Sequence, residues 1–368
     1  MNERRRWLAA CGAILVGCVS WSGCGGGSNP ADSGQASLPG SGEVRRVIIL
    51  TNGDDPFWDA MRAGMQDAEK ELELAKAGLK AELDKNDGTD KGQADKLQQY
   101  ANQTDIAAVA ISVIDAKNVA VAEGMRKLQS QGIKVLTVDS DVDRERSRDA
   151  RVAYLGTDNV EGGRELGKAA KGLRPDGGKY VCFVGHKSAA NAIERITGFA
   201  EGAGEKFVRA EDTLGDEMDL SVADKNVRDA LDRHPDLNVL VGIWAYNANA
   251  IASTVKDRGV RDKTTVVVFD AAPKAITHME AGLIDAMVVQ NPYQMGYDAT
   301  KLMKALVEGD EATVKSMLPE GDVIVTGLKV VVPDESSPLK KDMFAPSTEF
   351  LKLKEFKAWL DSKHLSGS

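Results

Sequence analysis

Short apolar runs rich in β-branched residues alternate with segments of helical period from Val44 onward. Five of the runs stop on polar side chains: RRVIILTNGDDPFW (45–58), IKVLTVDSD (133–141), NVLVGIWAYN (238–247), TTVVVFDAA (264–272) and IDAMVVQNPY (284–293). Each is too short for a buried helix and reads as a strand covered on both faces. Further strand-like runs fall at 79–83, 107–111, 152–155, 178–184, 207–211 and 324–331. Helix-period segments lie at 57–76, 91–103, 116–131, 160–172, 189–204, 221–233, 247–258, 273–281 and 293–307. In the first of them Phe57, Met61, Met65 and Ala68 recur at i, i+4, i+8 and i+11, one face of a helix. Pro56 and Pro292 stand where a first helical turn begins, a place Pro tolerates. The alternation predicts an α/β fold, with parallel sheets carrying helices on both faces. Residues 333–368 break the pattern: a loop-like stretch precedes LKLKEFKAWLDSK, which has the spacing of a short amphipathic helix. A packing role is expected for this extension.

In an open α/β sheet, ligands sit outside the carboxyl ends of the strands. Asp55, Asp139, Asn247, Asp270 and Gln290 all fall there. Any one of them is explained as an ordinary turn residue. Five together, with Phe57 and Trp58 beside the first, describe a pocket for a small polyhydroxylated ligand. In GHKSAANAIERITGF (185–199) a loop enters a helix, with Asn191 and Arg195 on its first turns. Arg suits fork-like bonding of neighbouring oxygens, although pairing with Glu194 or Asp219 on a helix surface explains it equally well. Ser112 and Asp219 complete the set of candidate ligand-binding side chains. Trp58 is expected to face the ligand, with Phe57 partly shared with the core.

Catalytic and cofactor motifs are missing. There is no GxxxxGK[ST], no GxGxxG after the first strand and no GxSxG. The four His do not pair at metal spacing, and in DKNDGTDKG (84–92) Gly88 falls where a calcium loop needs an oxygen. His186 is the best candidate for a general base, but no nucleophile pattern accompanies it. The expectation is no metal, no cofactor and no catalytic residue.

Composition adds the compartment. The 368 residues suggest about two domains of about 150 residues plus extras. A net charge of −9 with dispersed basic residues argues against nucleic acid. Residues 1–24 carry Arg4, Arg5 and Arg6, then an apolar stretch too short and interrupted to span a membrane, then Ser22-Gly23-Cys24. This is similar to a bacterial lipoprotein signal, with Cys24 as the lipidated residue and Cys18 as the rival. Removing residues 1–23 takes away three Arg and Glu3, which moves the charge from −9 to −11. Residues 25–43 are Gly, Ser and Pro with little apolar content and read as a flexible tether. Cys182, inside KYVCFVG, reads as a small buried hydrophobe.

DDPFW, TVDSD, LGTDNVEGGRELG (155–167), NAIERITGF, WAYN, VVFDAAP and VVQNPYQMGYDA together resemble the periplasmic binding proteins of the ribose- and galactose-binding type, over about residues 45–332. The resemblance implies two similar three-layer α/β domains joined by three hinge strands, with a ligand between them. It places the first domain at 44–156 plus 291–325 and the second at 157–290 plus 326–332, with crossings near 155–158, 289–292 and 323–327. In ribose-binding members, residues matching Asp55, Asp139, Arg195, Asn247, Asp270 and Gln290 grip sugar hydroxyls, and aromatics matching Phe57 and Trp58 pack on the ring. This chain departs in having Asp55 where those members carry Asn, Ser140 where they carry Arg, and polar sequence near Asp219 where a third aromatic packs. The departures leave a sugar site implied but not ribose itself.

The implied partners are a monosaccharide, the permease of an ABC importer, possible chemoreceptors or sensors, and a membrane held through the lipid; the protein is expected to be monomeric and periplasmic. Three other readings compete. A repressor of the same fold needs an N-terminal helix-turn-helix, and the export segment stands in its place. A glycosidase would use paired acids such as Asp55 and Asp270. A binding protein of this fold could instead take a cyclitol, a furanose signal molecule or an amino-acid-like solute.

Overall fold

The computed structural model describes residues 44–319 and 321–368. The export segment, Cys24 and the tether at 25–43 lie outside the described residues. From Arg45 the elements run β1 (Arg45–Leu50), α1 (Phe57–Glu71), β2 (Leu79–Asp84), α2 (Asp90–Tyr100), β3 (Ile106–Ile111), α3 (Val119–Ser130), β4 (Lys134–Val138), β5 (Tyr154–Gly156), α4 (Asn159–Leu173) and β6 (Gly178–Val184). They continue with α5 (Ala190–Ala203), β7 (Phe207–Arg209), β8 (Leu214–Gly215), α6 (Leu220–Arg233), β9 (Val239–Gly242), α7 (Asn247–Asp257), β10 (Thr265–Phe269), α8 (Pro273–Glu280), β11 (Ala286–Val289) and α9 (Pro292–Glu308). The chain closes with α10 (Glu311–Met317), β12 (Val323–Val325), β13 (Lys329–Val332), β14 (Glu349–Lys352) and α11 (Leu353–Ser362).

The strands form two sheets. One has the order β12-β5-β4-β3-β1-β2 with all pairs parallel; the other has the order β14-β13-β11-β10-β9-β6-β7, with β8 also on β6. In the second sheet only β11 and β13 run antiparallel. Apolar residues on both faces of each sheet are buried under helices, which is why the strands read as continuous apolar runs rather than alternating ones. The chain passes between the sheets three times: after β5, after β11 and after β12. The predicted run at 324–331 is therefore two strands, one in each sheet. Its polar interruption, Thr326-Gly327, is the crossing itself. The helix predicted over 57–76 is shorter, because Glu73 adopts φ 51° and the chain tightens into a single 3₁₀ turn at Leu74–Ala77.

The helix starts follow from the residues before them. Thr89, Asn118, Asp158 and Asn291 each accept the amide of the residue three positions on, and Pro273 and Pro292 occupy the first turns of α8 and α9. α4 and α5 cross through glycines. A Cβ on Gly163 would lie 2.2 Å from the Arg195 carbonyl oxygen, and one on Gly198 would lie 2.0 Å from that of Val160. Only bare backbone lets the two axes approach this closely. The seam fixes the height of Arg195 on α5.

Candidate functional site

The pocket lies where the carboxyl ends of the two sheets face each other. Two acids enter it from equivalent places, Asp139 after β4 and Asp270 after β10. Their amides still bond the next strand, to the Leu155 and Val288 carbonyls at 3.0 and 2.8 Å. Their φ angles are 63° and 62°, the left-handed region that non-glycine residues seldom occupy. That turn swings each carboxylate off its strand and into the cleft. Strain of this kind persists where surrounding structure over-determines it.

Arg195 stands between the two acids. One Nη lies 3.9 Å from Asp139 Oδ1 and the other 3.9 Å from Asp270 Oδ2. Nε donates to Asn159 Oδ1 at 2.9 Å, Nη1 donates to the Ile243 carbonyl at 3.1 Å, and the guanidinium lies 4.1 Å over the Phe269 ring. The side chain is 1 % exposed, and Nη2 has no hydrogen-bond partner. A buried donor of this strength is costly to leave unpaired.

The acids are held from behind. Ser112 Oγ donates to Asp139 Oδ2 at 2.8 Å, and Asn191 Nδ2 approaches the same oxygen at 3.4 Å. Gln290 Nε2 donates to both oxygens of Asp270 at 3.1 and 3.2 Å. Burial nevertheless outweighs these donors and Arg195. It raises Asp139 above the usual carboxylate range and Asp270 to about 7. Asp55 is pushed up to about 6, again by burial, against a single amide donor from Phe57 at 2.9 Å.

Phe57, Trp58, Trp244 and Tyr246 wall the cavity with aromatic rings. Phe57 and Trp58 meet edge to face, with ring centroids 5.1 Å apart. Both line the cavity and both also pack in the core of the first sheet, so the core is shared by the pair and not only by Phe57.

Of the sequence-predicted residues, Asp55, Phe57, Trp58, Asp139, Asn191, Arg195, Asp270 and Gln290 line this one cavity. Ser112 and Asn247 do not; they brace residues that do. Asn247 starts α7, accepts the Trp244 amide at 3.1 Å and donates to Asp216 Oδ2 at 2.9 Å. Asp219 lies outside. It is exposed, and its carboxylate is spent capping α6 through the Ser221 and Val222 amides. Arg195 pairs with neither Glu194 nor Asp219, because the glycine seam turns it inward.

Asn52, Met218, Trp244, Ala245 and Tyr246, which are not among the sequence-predicted residues, also line the cavity. Trp244 Nε1 donates to Asn191 Oδ1 at 3.2 Å. The Tyr246 hydroxyl bonds Asp216, whose carboxyl is raised to about 6 by burial. The signal for Trp244 and Tyr246 was present, as aromatics at a strand end in an aromatic-poor chain. Met218 had no local signal. Glu217 and Met218 both take positive φ, and this turn carries the Met218 methyl to within 2.8 Å of where a Gly53 Cβ would sit.

Two parallel-rich α/β domains around a cleft are shared by many folds, but matches in sequence narrow the field. The profile described as periplasmic binding protein domain matches residues 46–311. The chain belongs to the periplasmic binding protein family. It is 24 % identical over 267 residues to the D-allose-binding periplasmic protein of Escherichia coli K12, covering 70 % of this chain and 82 % of that one. It is 24 % identical over 273 residues to the D-ribose/D-allose-binding protein of Pseudomonas aeruginosa, covering 72 % and 79 %. Among solved structures, a solute-binding protein from Burkholderia graminis in complex with D-arabinose superposes with a TM-score of 0.69 at 26 % identity, covering 81 % of this chain and 99 % of that one. GanP, a glucose-galactose binding protein from Geobacillus stearothermophilus, gives 0.69 at 25 % identity, covering 79 % and 98 %. For this binding protein the two similar domains are those of the type I architecture, and the relatives just given are named as sugar- or solute-binding proteins.

Proposed function

We infer that this binding protein captures a monosaccharide or close relative in the cleft and delivers it to an ABC importer. The observation that carries the reading is Arg195, buried and one donor short, flanked at equal distance by an acid from each domain. Acceptors and donors in a ring around aromatic walls match a molecule with hydroxyls at its rim and C–H groups on its faces. Relatives named for D-allose and D-ribose, and a structural neighbour solved in complex with D-arabinose, support the same ligand class. Asp55, Asp139, Arg195, Asp270 and Gln290 act as hydroxyl partners, with Trp58 and Trp244 against the ring. Calorimetric titration of the mature protein with D-allose, D-ribose, D-arabinose, D-galactose and D-glucose tests it. Binding of at least one sugar at micromolar or tighter affinity, with the sugar unchanged afterwards, is expected; no heat with any, or turnover of the sugar, overturns it.

The lipoprotein signal at residues 1–24 supports attachment through Cys24 facing the periplasm. Two or more acyl chains make such an anchor stable, whereas one is marginal. Membrane fractionation of Cys24→Ala and Cys18→Ala cells checks the site. Release of the first alone is expected, and release of the second alone reassigns it to Cys18.

A further inference from the structure

The segment beyond the family match carries more than packing. After β13 the chain leaves the second sheet, returns as β14 alongside it, and forms α11 with Leu353, Phe356 and Leu360 in the core. The loop between them is tied to α4, where the buried Glu165 carboxylate accepts the Ala345 amide at 3.2 Å. α11 then ends in a reversal. His364 takes φ 55° and the Leu365 amide reaches back to the Leu360 carbonyl at 3.0 Å, the bond that closes a Schellman-type C-cap.

That reversal sends residues 365–368 under the ligand site. Ser368 pairs with both backbone groups of Ala271: it accepts the Ala271 amide at 2.7 Å and donates its own amide to the Ala271 carbonyl at 3.1 Å. Its hydroxyl donates to the Gln290 carbonyl at 3.1 Å. Ala271 follows Asp270, and Gln290 bonds Asp270 and stands at the second crossing between the domains. Ser368 is 2 % exposed, and a Cβ on Gly367 would lie 2.7 Å from the Ala271 carbonyl oxygen. The tail therefore fits a slot rather than lying on a surface. One residue before the reversal, the Lys363 ammonium sits 4.6 Å over the Tyr293 ring. Tyr293 opens α9, and its hydroxyl bonds Asp67 on α1 in the first domain.

We propose that residues 363–368 are a strap across the crossing, which holds Asp270 and Gln290 in binding geometry and couples them to the position of the first domain. Asp270 sits at a strained φ with no covalent reason to stay there, and the Ala271–Ser368 pair clamps the residue next to it on both sides. The tail touches no ligand, so its residues position others. The proposal rests on the sugar-binding reading of the site.

The test uses the full mature protein, a variant lacking residues 366–368, Gly367→Val, and Lys357→Ala as a control on the exposed face of α11. Each is titrated with whichever of the five sugars the wild type binds, melted without sugar, and followed by amide hydrogen exchange in the peptide containing Ala271. The truncation and Gly367→Val should each weaken binding about tenfold or more, mainly through faster release. The sugar-free melting point should stay within a few degrees, exchange at Ala271 should accelerate, and Lys357→Ala should match the wild type. Wild-type affinity in Gly367→Val or in a folded truncation overturns the strap. So does unchanged exchange at Ala271, a readout that needs no ligand. A wild type that binds none of the sugars but shows the exchange change would sink the sugar reading instead and leave the mechanical link in place.

Discussion

At the residue scale the site is a balance between burial and pairing. Asp139 and Asp270 are almost fully buried with one Arg between them, and among the described residues Asp55 makes no ion pair. Their raised carboxyl values have a sign consequence. A carboxyl with a folded value above its unfolded value of about 4 contributes stability that is present below that point and is lost as the pH rises through the folded value. For Asp270, pushed up to about 7, the loss runs from about pH 4 to pH 7. Asp270→Asn should therefore melt higher than the wild type without sugar at pH 8 and differ little at pH 4. Melting curves across that range check it, and a gap that shrinks as pH rises contradicts it. The same variant should lose sugar affinity by roughly 1–3 kcal/mol, since Arg195 and a ligand hydroxyl lose an ionised partner. The acid itself was legible in the sequence, as a polar residue ending an apolar run. Its left-handed turn and its raised value were not, because both depend on what packs around it.

At the element scale the glycine seam between α4 and α5 is the feature most open to test. Gly163 and Gly198 give the helices backbone-to-backbone contact, and Arg195 rides on that seam. Gly163→Val has no room for its side chain and must separate the helices. Chemical denaturation should show a loss of about 1–3 kcal/mol or more, the cost of overpacking a core. Sugar affinity should fall as well, although Gly163 lines no part of the pocket. A destabilised protein with wild-type affinity would show that Arg195 is held by Asn159 and Ile243 alone. Helix periods and strand runs were visible in the chain because they are local. The split of 324–331 into two strands was not, since β12 and β13 find different partners far apart in sequence.

At the scale of the whole molecule, hydrogen bonds join the crossings to each other and the domains across the cleft. Thr157 Oγ1 donates to Gln290 Oε1 at 2.8 Å, and the Thr326 amide donates to the Gly156 carbonyl at 2.7 Å, so the three connecting segments form one bonded strip. Beside it, buried Arg151 bridges Asp141 and Asp322, and Arg148, helped by Arg151, holds the Asp322 carboxyl well below the usual range. At the mouth of the cleft, His186 on the second domain contacts the Gly88 carbonyl of the first at 3.1 Å, while its other ring nitrogen meets Glu217 at 2.8 Å. If the domains close around a ligand by a hinge motion, this contact belongs to the closed form. His186→Ala should speed sugar release about fivefold, the equivalent of roughly 1 kcal/mol for one hydrogen bond, with little change in association. Stopped-flow tryptophan fluorescence measures both rates; an unchanged release rate removes His186 from the closed state.

The linear pattern alone carried the α/β class, the order of strands and helices, and most of the polar groups that meet in the pocket. It could do so because burial on both sheet faces leaves apolar runs, and because strands in such sheets end at the ligand. Which polar residues face the cavity and which brace or cap depends on how the chain closes in three dimensions. Asp219 and Asp270 both follow a strand within a few residues, yet one caps α6 in solvent and the other is buried against Arg195. The fold also decided where residues 333–368 pack, with contacts that reach Ala271 and Gln290 across about 80 to 100 residues of chain. Local periodicity carries information over one turn or one strand; the pairing of distant backbone groups is set by how the whole core closes.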